Sequence, residues 1–257
     1  MDVLKFNGYV ERTVAIPDGV NPSKITTGVV LNKDGTFSHV PTTVVLEDGK
    51  YIAKINSLTN SIYTLICNPV TFTDVENHWS KDYVNDVGSR LIDSGVGNGN
   101  FAPDKAITRA EFVTMIVKAL GLKGTDFLDK FSDIKKSDLY YYYIYTAYEY
   151  GILEGYTNGK FEPQDLITRE QAMTMLAKAM KIARMDVSIS QEEITDQLKL
   201  VKDSGNISSY AKQGALICTK YGIFDGNTKG ELTPKGSFTR AESATVIIKL
   251  LKKAKLI

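Results

Sequence analysis

Two cysteines, two histidines and a formal net charge of only +1 are the scarcities that frame this 257-residue chain. Cys67 and Cys218 fall far apart, in a strand-like and a helix-like segment, so they read as two buried free thiols rather than a disulfide framework. His39 and His78 have no cysteine ligands near them, which argues against a zinc site. The near balance of 31 basic and 30 acidic residues argues against general nucleic-acid binding, which needs many phosphate contacts. No apolar run approaches the roughly 20 residues of a membrane span, so membrane insertion is not expected. The start, Met1-Asp2-Val3-Leu4-Lys5, lacks the basic and apolar regions of a signal peptide and reads as an internal fragment given a start Met. Nucleophile elbows, metal-ligand clusters, Walker loops and dinucleotide loops are missing too, so neither catalysis nor a cofactor is expected. The Asn/Gly loops described below lack the alternating aspartates and terminal glutamate of calcium loops.

The chain does have two contrasting stretches, and its 43% hydrophobic residues can fill real cores. Residues 1–71 are rich in Val, Ile, Thr and Tyr, with Asp34-Gly35 and Asp48-Gly49 as turn signals. Lys50–Ile55 and much of Thr26–Leu31 alternate polar and apolar, the period of half-buried strands. Six or seven strands in a small antiparallel sandwich are expected, the last over Ser61–Cys67, with Pro69 marking the exit.

From Phe72 onward the pattern is helical and repeats. Three tetrads stand in register: Thr108-Arg109-Ala110-Glu111, Thr168-Arg169-Glu170-Gln171 and Thr239-Arg240-Ala241-Glu242. Each follows a proline (Pro103, Pro163, Pro234) and opens an apolar run of helical period. Thr followed three residues later by Glu or Gln is a capping box, which pairs two backbone N–H groups that a helix start leaves open. The Arg then becomes the first helical residue, expected to swing outward. Beside the positive end of the helix dipole it makes a seat for an anion, a carboxylate above all. The runs themselves supply core stripes: Phe112, Val113, Ile116, Val117 and Leu120; Met173, Leu176, Ala177 and Met180; Ala244, Ile247, Ile248 and Leu251. Aspartates open the units at Asp74, Asp133 and Asp203, and glycine loops precede each proline: Gly95 to Phe101, Gly155 to Phe161 and Gly226 to Leu232. An insertion near 183–200 holds a further box at Ser190-Gln191-Glu192-Glu193, expected to start a connecting helix through Leu200. Repeats of this length mark modules that bury their apolar faces only against one another.

These residues resemble the S-layer homology domain, here as a triplet over 72–257, on the aromatic-x-Asp opener, the first-helix aromatics Trp79 and Tyr210, the glycine turn and Thr-Arg-Ala-Glu. The resemblance implies a mainly α fold: a pseudo-threefold spindle around a central three-helix bundle, with repeats over 72–130, 131–182 and, with the connecting helix, 183–257. Residues 1–71 look like the small β-domain that often precedes such triplets. The implied function is non-covalent anchoring of an exported protein in the cell wall or S-layer of a Gram-positive bacterium. The implied partner is pyruvylated secondary cell-wall polysaccharide, typically through a pyruvate ketal on N-acetylmannosamine. By that resemblance Arg109, Arg169 and Arg240 grip the ketal carboxylate, Asp74, Asp133 and Asp203 hydrogen-bond in the grooves, and Gly95, Gly99, Gly155, Gly159, Gly226 and Gly230 shape them. A self-assembling lattice module is the alternative; anchoring alone predicts a monomer.

The residues leave several roles open. The opener aspartates also suit N-capping of the first helices, the glycines suit tight turns, and Trp79 suits a core. Consecutive helical residues point about 100° apart, so at least one ring of Tyr140-Tyr141-Tyr142-Tyr143 is expected at the surface. Lys249, Lys252, Lys253 and Lys255 read as a solvated helix end. The units also differ. Unit one has Leu91 where the others have Gly151 and Gly222, and unit two has Gln171 for Glu and lacks the Trp. Unit three has Leu232 for Phe beside acidic Glu231, so its groove is expected to bind weakest. The anchoring reading requires an open cleft beside the guanidinium groups.

Overall fold

Asp-Gly turns and alternation build six strands among the described residues: β1 (Lys5–Ala15), β2 (Thr27–Leu31), β3 (Phe37–Val40), β4 (Thr42–Glu47), β5 (Lys50–Thr59) and β6 (Tyr63–Ile66). The computed structural model describes residues 5–32, 34–125 and 129–257, so the expectation for Met1–Leu4 lies outside the described residues, as do 126–128 within the first unit. The strands form two antiparallel three-stranded sheets, ordered β1-β5-β4 and β3-β2-β6. Asp48 and Gly49, both with positive φ, close the β4–β5 hairpin, where Glu47 pairs with Lys50. The core between the sheets is small: Val30, Val40 and Ile55, with Val14, Tyr63 and Leu65 partly buried around it. Leu58 belongs instead to the helical core. The Tyr9 hydroxyl donates to the Leu120 carbonyl at 2.7 Å, and Lys123 Nζ donates to Asn32 and Ser38 at 2.9 and 3.1 Å. A core this small gains stability by resting on a larger one.

Among the described residues seven α-helices follow: α1 (Lys81–Ser89), α2 (Arg109–Ala119), α3 (Tyr141–Glu149), α4 (Arg169–Ile182), α5 (Gln191–Leu198), α6 (Lys212–Lys220) and α7 (Arg240–Lys253). Thr108, Thr168, Ser190 and Thr239 each complete the expected capping box. The insertion is therefore helical over Gln191–Leu198. All the apolar stripe residues of α2, α4 and α7 are buried. First helices pack on the second helix of the preceding unit: α3 on α2, α6 on α4, and α1 on α7.

Capping leaves two N–H groups at each second-helix start, and another unit satisfies them. Arg109 and Ala110 donate to the carbonyls of Asp165 and Pro163, Arg169 and Glu170 to Gly236 and Pro234, and Arg240 and Ala241 to Lys105 and Pro103. Unit one thus leans on unit two, two on three, and three on one. These backbone bonds form a closed cycle.

Three expectations need correction. Tyr141 is buried and Tyr140, Tyr142 and Tyr143 are half-buried, so none of the four rings is exposed. Tyr142 and Tyr143 meet edge to face at 5.4 Å and line a cavity of 510 Å³ with Lys118, Lys123 and the β3 residues Ser38 and His39. Cys67, just past β6, is exposed; Cys218 is buried. The last strand is Tyr63–Ile66, shorter than expected. Leu91 adopts φ 62°, the left-handed value that Gly151 (69°) and Gly222 (61°) hold in the other units.

Candidate functional site

The cycle builds three equivalent arginine sites between units, called grooves and named by their arginines; Arg109 and Arg169 border cavities. In each, the side chain from one unit crosses to the loop of the next. The Nε of Arg109 donates to the Phe161 carbonyl at 3.0 Å, that of Arg169 to Leu232 at 2.8 Å, and that of Arg240 to Phe101 at 2.8 Å. Their guanidinium carbons stack on rings: Arg109 lies 4.7 Å from both Tyr156 and Phe161, Arg169 4.6 Å from Phe224, and Arg240 4.6 Å from Phe101. Arg109 and Arg240 are each only 4% exposed. The expected outward swing does not occur. A carbonyl acceptor and an aromatic face hold the flat cation against the neighbouring unit, each contact being worth up to about 2 kcal/mol when desolvated.

Beyond this shared frame the grooves diverge. Arg240 is locked by two carboxylates: its Nη2 lies 2.8 Å from Asp93, and its Nη1 lies 3.7 Å from Glu111. Arg169 pairs through Nη1 with Glu242 and donates from Nη2 to the Asp225 carbonyl at 3.3 Å. At Arg109 the places of those acids are taken by Gln171 and Leu153. Among the described residues, its Nε bond to Phe161 is the only side-chain hydrogen bond Arg109 makes, and Nη1 and Nη2 have neither a hydrogen-bond nor an ion-pair partner. Burial pushes its pKa below the ordinary guanidinium value, against the pull of Tyr156, Glu162, Asp165 and Tyr210. A buried and under-compensated cation is the outcome.

Arg109 opens on a cavity of 610 Å³ lined also by Leu153, Gly155, Tyr156, Gln171, Lys178 and Tyr210. Tyr210 is 56% exposed, and its hydroxyl donates to Glu170 at 3.0 Å. Burial, and then that bond, raise the Tyr210 pKa. Arg169 borders a smaller cavity, 370 Å³, with Glu242, Lys249 and Trp79 on its walls. Trp79 is 62% exposed rather than a core residue. The matching place in unit two is Leu139, 80% exposed. Each of the first two grooves therefore draws an arginine, a loop and an aromatic from three different units.

The opener aspartates cap no helix. Each staples the backbone after a glycine loop instead. Asp74 accepts from Phe101 and Ala102, Asp133 from Phe161 and Glu162, and Asp203 from Leu232 and Thr233, all within 3.0 Å. The second residue of each pair has positive φ: Ala102 57°, Glu162 58° and Thr233 47°. Two charged acceptor bonds offset that strain, of order 1–3 kcal/mol. Among the loop glycines, Gly155 lines the Arg109 cavity, while Gly226 and Gly230 line another. At Gly95 a Cβ would stand 2.4 Å from the Asn100 carbonyl oxygen, so that loop admits only glycine. Gly99, Gly159 and Gly230 all hold φ between 71° and 77° for the turn.

Several groove residues escaped the sequence reading. A lysine stands nine residues after each tetrad arginine, at Lys118, Lys178 and Lys249. Lys178 pairs with Glu154 at 2.7 Å and Lys249 pairs with Asp225. Lys118 has Ser94 at the matching place and lies 5.6 Å from the Tyr143 ring; burial lowers its pKa. That recurrence was readable from the same repeat periods. Glu170, 3% exposed, binds Ser208, Tyr210 and Lys235. Burial pushes its carboxyl up, but these bonds outweigh burial and leave it below the usual range. Of the C-terminal lysines, Lys252 lies 5.9 Å from the Tyr83 ring.

A family model described as the S-layer homology domain matches residues 71–113, 130–173 and 202–244, about half of the chain. An exoglucanase, XynX, of Acetivibrio thermocellus is 39% identical over 186 residues, covering 72% of this chain and 16% of that protein. An amylopullulanase of Thermoanaerobacterium thermosulfurigenes is 37% identical over 185 residues, 72% of this chain and 10% of that protein. A surface-layer 125 kDa protein of Lysinibacillus sphaericus is 30% identical over 193 residues, 72% of this chain and 16% of that protein. The chain thus spans less than a fifth of the length of these relatives, and the enzymes match it only over the repeat region.

Proposed function

This chain belongs to the S-layer homology domain family, and we propose that it tethers a surface protein to pyruvylated secondary cell-wall polysaccharide, an arginine gripping the ketal carboxylate in a groove between repeats. The family, shared with S-layer and cell-wall proteins, places the chain at the cell surface. Among the described residues no helix is long and apolar enough to cross a membrane. We read residues 1–71 as a β-domain and 72–130, 131–182 and 183–257 as three repeats in a pseudo-threefold spindle around α2, α4 and α7. The closed cycle of backbone bonds supports that architecture. The module itself is read as non-catalytic.

One observation carries the proposal: the buried Arg109 guanidinium, two of its nitrogens unpaired among the described residues, lines an open cavity of 610 Å³. A planar carboxylate matches that fork with two parallel bonds. Exposed Tyr210, or Trp79 in the next groove, offers a face on which a sugar ring can lie. The opener aspartates and glycines act by fixing the loop that supplies the groove wall. Titration calorimetry with a pyruvylated N-acetylmannosamine glycoside tests this. Arg109→Ala is expected to weaken binding by about 1.5–3 kcal/mol, and removing the ketal from the sugar by a similar amount. Unchanged heats for both would refute the assignment.

A further inference from the structure

Resting on that reading, we propose that two of the three grooves are filled by the protein's own carboxylates, that the Arg109 groove alone takes the acidic sugar, and that Gln171 decides this. Glu242 sits on Arg169, and Asp93 with Glu111 on Arg240, where an incoming carboxylate would have to bind. These acids are internal substitutes for the ligand. Each belongs to the unit whose loop the arginine reaches, so one groove is closed by its neighbour's capping residue.

Gln171 occupies the same capping position but inverts the chemistry offered to the groove. Its Oε1 accepts from the Thr168 N–H at 3.0 Å, which keeps the cap, and its Nε2 donates to the Tyr156 hydroxyl at 3.0 Å. The amide therefore turns N–H groups towards the cavity where Glu111 and Glu242 turn oxygens. The charge balance follows the same order. Arg169 and Lys249 face Glu242 and Asp225, and Arg240 and Lys118 face Asp93 and Glu111, so both grooves are neutral. Among the described residues lining their cavity, Arg109 and Lys178 face one acid, Glu154, which Lys178 already holds. Glu162 and Asp165 attract Arg109 from outside the cavity lining and make no hydrogen bond with it. One surplus positive charge remains, matched by a single carboxylate. A partly desolvated pair with good geometry forms there without displacing an existing partner, which the other grooves do not permit.

The test is calorimetry of the whole chain with the pyruvylated N-acetylmannosamine glycoside, read for stoichiometry as well as affinity. One site per chain is expected. Gln171→Glu restores the acid found in the other two units, so its cap and fold are kept, and affinity should fall by about tenfold or more. Glu242→Gln keeps the cap as Gln171 does and should add a second site. Two or three equivalent sites in the unaltered chain, an unaffected Gln171→Glu, or no new site in Glu242→Gln would each overturn the inference while leaving wall tethering intact. Complete absence of binding by the unaltered chain would instead remove the underlying reading.

Discussion

The grooves at Arg109 and Arg240 share a frame to within a few tenths of an ångström, yet one holds an open cation and the other a saturated one. In both, the Nε donates to a loop carbonyl and the guanidinium stacks on a phenylalanine at 4.6–4.7 Å. What separates their charge is two side chains: Leu153 and Gln171 at one, Asp93 and Glu111 at the other. Position is fixed by the repeat; availability is fixed by what stands opposite. A motif can therefore recur three times while its chemistry is offered once. At Arg240 the same cation serves to cement the third unit to the first.

The sharpest way to break this comparison is to remove the cement. Asp93→Ala should strand a 5%-exposed Arg240 side chain and free the Gly95 N–H that Asp93 accepts at 2.9 Å. A loss of about 3 kcal/mol in urea unfolding is expected. Arg109→Met, which breaks no ion pair, should cost about 1 kcal/mol in the same assay. Equal losses would erase the distinction between a binding and a structural arginine.

Acid should sharpen it next. His39 lies on the cavity beside Lys118, 3% exposed; burial, and then the Arg90 charge, push its pKa down from 6.5 to about 3. Above pH 6.5 it is neutral in both folded and unfolded chains. Below that, the unfolded chain takes a proton that the folded chain refuses, so stability drops by about 1.4 kcal/mol per pH unit, or roughly 2 kcal/mol by pH 5. His39→Gln should flatten this limb when urea midpoints at pH 7 and pH 5 are compared; an unchanged slope would assign the acid sensitivity elsewhere. The smallest effect concerns Leu91, on the same cavity wall. Leu91→Gly relieves a left-handed φ of 62° but loses a half-buried side chain. A net gain of about 0.5 kcal/mol, or roughly 1–2 °C in melting temperature, is expected.

What was legible in the sequence was local. The Thr-to-Glu spacing of the capping boxes, the Asp-Gly turn at 48–49 and the apolar stripes of α2, α4 and α7 all depend on residues within one or two turns. What was not legible depends on partners from another unit. The arginines bend inward because acceptor carbonyls wait 52, 63 or 139 residues away along the chain. The opener aspartates reach backbone 27–30 residues on, which no cap pattern shows. Tyr142 and Tyr143 share a cavity with β3, while Tyr141 packs on Tyr145 one turn on and bonds Asp129, and helical period alone carries no information about a neighbouring sheet. As a capping residue Gln171 serves as well as Glu. Its meaning appears only once it faces Arg109.

The cycle of bonds from Arg109 to Asp165, Arg169 to Gly236 and Arg240 to Lys105 has one more consequence. An open array grows by adding copies at its end, because the last member always presents an unfilled edge. Here the last member's edge is already occupied by the first. A fourth tandem copy would find no vacancy, so this arrangement counts to three and stops, and gaining avidity calls for more chains instead of longer ones.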